Sequence, residues 1–314
     1  MSKALILSEI SRILSSDRIF CTAQAMKEFM AELFLAEKQS SFFDDMPTYQ
    51  DLTKKAVTKL AEETNIPITC DYTDEDMDNE AIAYYRIKGM IMGESYWYFS
   101  TKQFVEDFQC AEANPMIMAH FIHANSGGGD TWYLDVAYQT LMKATKPIVT
   151  IIERVGASAC IYLVCPSTKI YAATQNEILG SIGTMVSFMN LKPYYEAMGI
   201  KFVEEYATKS NLKNKKFNNL ENGKPEQFIT DELDPLQQQF EAAVRKARTK
   251  TGALPEDHPL FRGETFSTQA AIDLFLIDGQ KLFDEALNEA YQLGLSYVGK
   301  QREKNKALNF INHY

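Results

Sequence analysis

A serine within a run of small residues is the strongest candidate for covalent chemistry in this sequence. The run is RVGASACIY, Arg154 to Tyr162, and it directly follows an apolar stretch typical of a buried strand. A serine placed there, at a strand end, presents its hydroxyl at the start of a helix, where unpaired N–H groups can stabilise an oxyanion. Small residues also begin ordinary helices, so Ser158 needs further support before it is assigned a role.

Two glycine-containing segments lie on either side of this serine in the chain. The first is HANSGGGD, His123 to Asp130, whose consecutive glycines allow the backbone to approach a ligand and to direct N–H groups at it. It lacks the spacing of a P-loop or a dinucleotide fingerprint, and an ordinary strand-to-helix turn explains it equally well. In ILGSIGTM, Ile178 to Met185, glycines flank Ser181, which indicates a tight backbone passage beside a ligand or a neighbouring strand.

Histidine, the usual general base beside a serine nucleophile, is scarce in this chain. Only His120, His123, His258 and His313 are present. The first two lie on a predicted strand upstream of Ser158, where a core or strand-end role is more common than catalysis. A Ser-His-Asp site is therefore the weaker mechanism.

Composition and charge exclude several classes of function. Lys plus Arg is 32 and Asp plus Glu is 42, and the net charge of −10 disfavours nucleic acid as a partner. Five cysteines without a CxxC pair indicate neither a zinc site nor a disulfide framework, and they fit a reducing compartment such as the cytoplasm. With no apolar run of about 18 residues and no signal peptide, we expect a soluble protein without membrane insertion. We expect no metal and no cofactor.

The elements that must position these residues alternate between strand and helix. Four apolar runs are rich in strand formers, namely YYRIKGMIM, MIMAHFIHA, PIVTIIERV and KIYAA. Between them, TKQFVEDFQCAEA and WYLDVAYQTLMKA show helical periodicity. This alternation predicts a parallel α/β sheet covered by helices.

The first part of the chain has a different pattern. From Leu5 to about Lys59 the apolar residues recur at helical spacing, with Met26, Phe29, Met30 and Leu33 on one face. An acidic stretch, DYTDEDMDNE, separates this section from the strands. We therefore predict an N-terminal helical section over residues 1–78, a main domain over 79–295 and a C-terminal tail over 296–314.

Four segments in order resemble the signal peptide peptidase A family of the Clp/crotonase superfamily, whose pattern contains NSPGG, AASGGY, TGSIG and GLVD. The corresponding segments here are NSGGG at 125–129, GASACIY at 156–162, LGSIG at 179–183 and FLIDG at 275–279. The resemblance covers roughly residues 82–287. It implies an α/β fold of the Clp/crotonase type, with parallel sheets in stacked β-β-α units, to which the N-terminal helical section is an addition.

The resemblance also implies a Ser-Lys dyad without histidine. Ser158 matches the family's nucleophile, and a lysine some fifty residues later is the base that takes its proton. An amine can do so only if desolvation keeps it neutral. Counted without gaps from Gly199, the family's lysine falls at Asn211, with Lys209 and Lys213 two positions to either side. We prefer Lys213, because Lys213-Asn214 resembles the family's lysine followed by a small polar residue, and Lys209 is the alternative. Ser181 matches the serine that orients this lysine.

Backbone groups complete the site that the resemblance implies. The oxyanion hole would be formed by N–H groups of Gly128 or Gly129 and of Ala159. The glycine turn and the segment around Ser181, including Gly180 and Gly183, would hold an extended substrate by main-chain pairing. The sequence departs from the family pattern at Gly127, Ala159, Cys160 and Phe275, and we interpret the last as a change in helix packing.

The sequence thus predicts a serine endopeptidase that acts on extended peptides or unfolded protein segments. Members of the family anchored in membranes degrade signal peptides, whereas soluble ones encoded by bacteriophages mature procapsids. We expect this chain to be of the second kind, located in a bacterial or phage-infected cytoplasm or with the procapsid, and assembled as a homo-oligomeric ring. Two alternatives remain open: a crotonase-like acyl-CoA enzyme, and a non-catalytic shell or scaffold protein with the same fold.

Overall fold

The strands of the computed structural model are mainly parallel and form two sheets. The structure describes residues 19–21, 47–188, 190 and 192–311. Their strands are β1 (Ile19–Cys21), β2 (Ile68–Thr69), β3 (Ala81–Lys88), β4 (Ile91–Met92), β5 (Phe99–Ser100), β6 (Ile117–Ser126), β7 (Gly128–Asp130), β8 (Ile148–Ala157), β9 (Lys169–Ala172), β10 (Ile178–Gly180), β11 (Thr265–Phe266) and β12 (Gly279–Gln280).

Helices separate groups of strands along the chain, and four successive helices lie between β10 and β11. The helices are α1 (Tyr49–Glu63), α2 (Thr101–Ala113), α3 (Leu134–Met142), α4 (Ala159–Val164), α5 (Lys192–Ala197), α6 (Lys215–Glu221), α7 (Glu226–Phe228), α8 (Asp234–Ala247), α9 (Thr268–Asp273) and α10 (Phe283–Ile311). A π-helical turn, Ile229–Leu233, joins α7 to α8, and short 3₁₀ turns lie at Thr208–Ser210, Thr249–Ala253 and Pro259–Phe261.

The larger sheet has the strand order β11-β10-β8-β6-β3-β2, with β9 also paired to β8 and β12 paired to β9. All of these pairings are parallel except that between β10 and β11. The smaller sheet has the order β1-β7-β4-β5. The predicted α/β class is therefore confirmed, and the apolar runs of the sequence are its central strands.

Strand β8 changes its neighbour part-way along its length. Its residues 149–152 pair with β9, whereas residues 155–157 pair with β10. Between the two parts its register with β6 shifts, and Arg154 there has a φ of 68°, which L residues rarely adopt. The irregularity bends the strand and directs its last residues towards β10.

Both faces of the larger sheet are buried, which explains why its strands have continuous apolar runs. In β8, Ile148 and Ile152 belong to the core on the side of α2, α3, α4 and α8. Val149 and Ile151 belong to the core on the side of α10, because successive side chains of a strand point to opposite faces. No helix among the described residues is long and apolar enough to cross a membrane.

The secondary structure of the described residues towards the two ends of the chain can be compared with the predicted sections. Within the predicted helical section, residues 49–63 form a helix but Ile19–Cys21 form a strand. The predicted face of Met26, Phe29, Met30 and Leu33 lies outside the described residues. At the other end, α10 continues to residue 311 and therefore includes residues 296–311 of the predicted C-terminal tail. The division into domains stays a prediction.

Two glycines of α10 provide a test of this packing. A Cβ at Gly294 would lie 2.7 Å from Cγ of buried Met118, whereas a Cβ at Gly299 would meet no atom within 4 Å. We expect Gly294→Ala to lower the free energy of unfolding by about 1–3 kcal/mol through overpacking. Gly299→Ala should raise it by about 1 kcal/mol through helix propensity. Thermal unfolding of both variants checks this, and equal effects at the two sites would contradict the packing.

Candidate active site

Ser158 occupies the turn between β8 and α4. It is fully buried, and its backbone has a φ of 57° and a ψ of −121°, a conformation that is costly for a non-glycine residue. Its N–H donates to the Gly180 carbonyl at 2.8 Å. Its Oγ is buried without a hydrogen-bond partner among the described residues. A strained turn that holds an unpaired hydroxyl is what a nucleophile awaiting its base and substrate requires.

Small residues around Ser158 are required by close packing of the backbone. Gly156 lies opposite Leu179 of β10, and a Cβ on it would lie 2.7 Å from the Ile152 side chain. Ala157 and Ala159 are both fully buried. The run of small residues therefore lets β8, β10 and α4 approach each other at the point where the chain turns.

The segment around Ser181 adjoins this turn. Gly180 has a φ of 103°, and a Cβ there would lie 2.9 Å from the Glu264 carbonyl oxygen. Ser181 also has a positive φ, 51°, and its N–H donates to the same Glu264 carbonyl at 2.8 Å. The structure thus brings Ser158, Gly180 and the half-buried Ser181 together on adjacent backbone segments.

Gln237 of α8, which the sequence did not single out, holds the residues that follow Ser181. Its Oε1 accepts from the Thr184 N–H at 3.0 Å, and its Nε2 donates to the Phe261 carbonyl at 2.8 Å. Gly183 passes close to Gly263, because a Cβ on it would lie 3.0 Å from the Gly263 Cα. A lone amide on an amphipathic helix belongs to no motif, so no sequence signal identified this contact.

The glycine turn forms a second wall of the site. Gly129 cannot carry a side chain, since a Cβ there would lie 1.9 Å from the Ile91 carbonyl oxygen. The N–H of Gly128 donates to Ser126 Oγ at 3.1 Å, and that hydroxyl donates to the Gly89 carbonyl at 2.6 Å. Strand β7, to which both glycines belong, lies in contact with α4. The structure therefore places the glycine turn beside the helix that begins after Ser158.

The two candidate lysines are not brought to Ser158. Lys209 lies in the 3₁₀ turn Thr208–Ser210, and the backbone N–H of Lys213 donates to the Ser210 carbonyl at 3.0 Å. Both lysines are exposed, and neither is hydrogen-bonded to Ser158 Oγ. Their assignment as the base stays a prediction.

The histidines of β6 have structural partners and do not bond Ser158. His120 is fully buried, with its Nε2 2.8 Å from Glu112 Oε2 and its Nδ1 3.0 Å from the Tyr85 hydroxyl. Burial lowers the pKa of His120, so the neutral ring with its proton on Nε2 fits both contacts. His123 is held in the same way by Tyr84 and Glu153. Among the described residues no group of acidic, histidine or cysteine side chains is placed to bind a metal.

The FLIDG segment serves structure. Asp278 Oδ2 accepts from the Ile170 N–H and from Arg248 Nη2, both at 2.9 Å, which ties the segment to β9. Phe275 has a φ of 58°, a left-handed conformation that favours glycine at the end of a helix. The interpretation of Phe275 as a change in helix packing was therefore wrong. The family's glycine suits this position because the backbone here is left-handed.

The profile of peptidase family S49 matches residues 140–295. Over residues 140–295 the chain belongs to peptidase family S49. Members of this family are serine peptidases, and this chain is accordingly a serine peptidase. The matched region contains Ser158, Ser181 and both candidate lysines, whereas the glycine turn precedes it. Family membership and the parallel α/β sheet agree with the predicted fold of the Clp/crotonase type.

Solved structures of two kinds are similar to this S49 chain. A putative enoyl-CoA hydratase/carnithine racemase from Magnetospirillum magneticum is 17% identical, with a TM-score of 0.41 over 75% of this chain and 88% of that one. The 1510-N membrane-bound stomatin-specific protease, in complex with a substrate peptide, is 14% identical, with a TM-score of 0.44 over 68% and 81%. None of the curated proteins matches the sequence.

The unpaired hydroxyl of Ser158 leads to a prediction about the stability of a variant that lacks it. Ser158→Ala keeps Cβ and removes a buried polar atom without a partner, so we expect the free energy of unfolding to rise by about 1 kcal/mol. The matched control is Ser167→Ala, because buried Ser167 has its Oγ 2.8 Å from Thr150 Oγ1. That variant should lose about 1 kcal/mol. Chemical denaturation measures both, and a loss in Ser158→Ala would contradict an unpaired hydroxyl.

Proposed function

We propose that this serine peptidase is an endopeptidase that hydrolyses extended peptides or unfolded protein segments through a Ser-Lys dyad. The observation that carries the proposal is the buried, strained turn at Ser158, whose hydroxyl has no partner within the described part of the chain. Family membership supports a serine nucleophile, and Ser158 lies in the matched region. The residue's position at a strand end, before a helix, places its hydroxyl beside the N–H donors of the first turn of that helix.

The reaction follows from the geometry of the turn. Ser158 Oγ attacks the scissile carbonyl carbon while the lysine amine accepts its proton, and the lysine then gives that proton to the leaving amine. Water, activated by the same lysine, hydrolyses the ester that remains on Ser158. The N–H of Ala159, in the first turn of α4, is a donor for the oxyanion. Donors of this type contribute on the order of 3 kcal/mol to transition-state stabilisation.

The second donor comes from the glycine turn. Because the Gly128 N–H donates to Ser126 Oγ in the structure, our proposal requires the oxyanion to replace that hydroxyl when substrate binds. Gly129 lies one residue further along β7 and is the alternative. Gly180 and Gly183 border the same site from the side of Ser181 and contribute main-chain groups to substrate binding.

The base is Lys213 in our proposal, with Lys209 as the alternative. A lysine can accept a proton only as the neutral amine, and desolvation favours that form. The residues around it carry apolar side chains that are also exposed, notably Val203 at 79% and Leu212 at 70%. We infer that this part of the chain is covered when the site is complete.

A second copy of the chain provides that cover in our proposal. We give the name arm to the exposed apolar side chains between residues 188 and 212, and exposed apolar surface of this kind is typical of a subunit interface. Its members are Phe188, Tyr194, Tyr195, Met198, Ile200, Phe202, Val203, Tyr206 and Leu212. Docking of the arm on a neighbouring subunit fits the predicted homo-oligomeric ring and would enclose the active site.

Enclosure of the active site also bears on the kind of substrate and on the location of the protein. An enclosed site admits extended chains and excludes folded proteins, as a peptidase of the cytoplasm needs. We place the protein in the cytoplasm of a bacterium or a phage-infected cell, or with the procapsid. The acyl-CoA enzyme and the non-catalytic scaffold are the alternatives, and neither requires a reactive serine at position 158.

Labelling with a fluorophosphonate probe tests the nucleophile and the base together. We expect the unmodified protein to be labelled and Ser158→Ala to remain unlabelled. Lys213→Met, which removes the amine but keeps an apolar stem, should label at least 100-fold more slowly, because the hydroxyl then lacks a base. The control Lys209→Met should label at nearly the normal rate. The opposite ranking would move the base to Lys209, and a labelled double variant would refute the dyad.

Light scattering tests the arm. We expect Val203→Asp combined with Leu212→Asp to lower the mass of the particle and to slow probe labelling in parallel, because charges in an apolar interface disfavour assembly. Leu308→Asp, which changes an exposed apolar residue outside the arm, serves as the matched control and should retain both properties. A monomeric unmodified protein with full activity would contradict the ring.

A further inference from the structure

Strand β1, Ile19–Cys21, lies on one edge of the glycine strand β7. The two strands are antiparallel, with Ile19 opposite Asp130, Phe20 opposite Gly129 and Cys21 opposite Gly128. The other edge of β7 is taken by β4, whose Ile91 lies opposite Gly129. A strand has two hydrogen-bonding edges, so β1 occupies the edge of β7 that would otherwise be open.

This edge belongs to the site of Ser158. Strand β7 begins two residues after Ser126, and Ser126 lies opposite Gly156, two residues before the nucleophile. The same strand contacts α4, which begins directly after Ser158. Because the pairing is antiparallel, the chain direction of β1 leads from the residue opposite Asp130 to the residue opposite Gly128. It therefore points towards the glycine turn, residues 125–129.

We infer that Ile19–Cys21 is an internal peptide that occupies the position of the substrate strand on β7. The inference rests on the proposed function and adds to it the direction of the substrate. An extended peptide would pair with β7 through its main chain, with its N-terminal side opposite Asp130 and its scissile bond beyond the residue opposite Gly128. The full chain would then be partly inhibited by its own N-terminal segment.

The expected strength of the inhibition depends on the pairing of β1 with β7 and on the covalent attachment of β1. Main-chain pairing is tolerant of side chains, so the same edge accepts either β1 or an unrelated peptide. A strand of three residues forms few hydrogen bonds, but its covalent attachment gives it an effective concentration in the millimolar range. We expect competition that raises the KM for an added substrate by about tenfold without changing kcat.

Hydrogen exchange tests the occupancy without relying on activity. In the Ser158→Ala background, deletion of residues 1–22 should accelerate exchange of the β7 amides. A synthetic peptide with the sequence of residues 15–25 should restore their protection. Unchanged exchange after deletion would overturn the inference.

Proline variants cover the case in which the deletion does not fold. Alternate residues of a strand direct their N–H groups to the same edge, so those facing β7 come either from Phe20 or from its two neighbours. One of two variants, Phe20→Pro or the double change Ile19→Pro with Cys21→Pro, should therefore expose the β7 amides. The control Phe20→Ala keeps every main-chain group and should leave exchange as it is. Equal protection in both proline variants would also overturn the inference.

Hydrolysis of fluorescently labelled casein separates this inference from the proposed function. The deletion should lower the KM about tenfold while the rate of fluorophosphonate labelling, which needs no strand pairing, stays the same. Labelling in both proteins with identical KM values would reject the internal strand but leave the peptidase intact. Absence of labelling in both would reject the proposed nucleophile, and the exchange data would still report whether β1 covers β7.

Discussion

The hydrogen bond from the Ser158 N–H to the Gly180 carbonyl joins the two backbone segments from which the site is built. It forms only because β8 and β10 approach closely at their ends, with Gly156 opposite Leu179. That approach leaves Ser158 and Ser181 with positive φ angles, which are unfavourable for residues with a Cβ. Strain of this kind persists where the surrounding structure determines the backbone more strongly than the residue's own preference does.

The large sheet supplies that structure. Its strands are buried on both faces, and its buried polar side chains are satisfied within the core. Burial raises the pKa of Glu112, but hydrogen bonds from His120 and Thr145 outweigh it and lower the pKa to about 2. His120 and His123 are therefore committed to holding β6 in place, and among the described residues no imidazole is hydrogen-bonded to Ser158.

In the single chain, some parts of the candidate site lie together and others lie apart. The nucleophile turn, the Ser181 segment and the glycine turn are adjacent and held by specific contacts, such as those of Gln237. Both candidate lysines are exposed, Lys209 within the arm and Lys213 directly after it, and the edge of strand β7 is covered by Ile19–Cys21. In our proposal, buried Ser158 and an exposed lysine act in one mechanism once a second subunit brings them together.

The sequence by itself determined the class of fold and the position of the turn at Ser158. Apolar runs between amphipathic segments predict buried parallel strands, and small residues around Ser158 and Ser181 mark the places where backbones approach closely. Both signals are local, since each depends on residue type and spacing alone. Tertiary structure decided the remainder: the role of Phe275, the contact made by Gln237, the partners of the histidines and the pairing of Ile19–Cys21 with β7. Those features depend on residues far apart in the chain, and only the folded backbone brings such residues together.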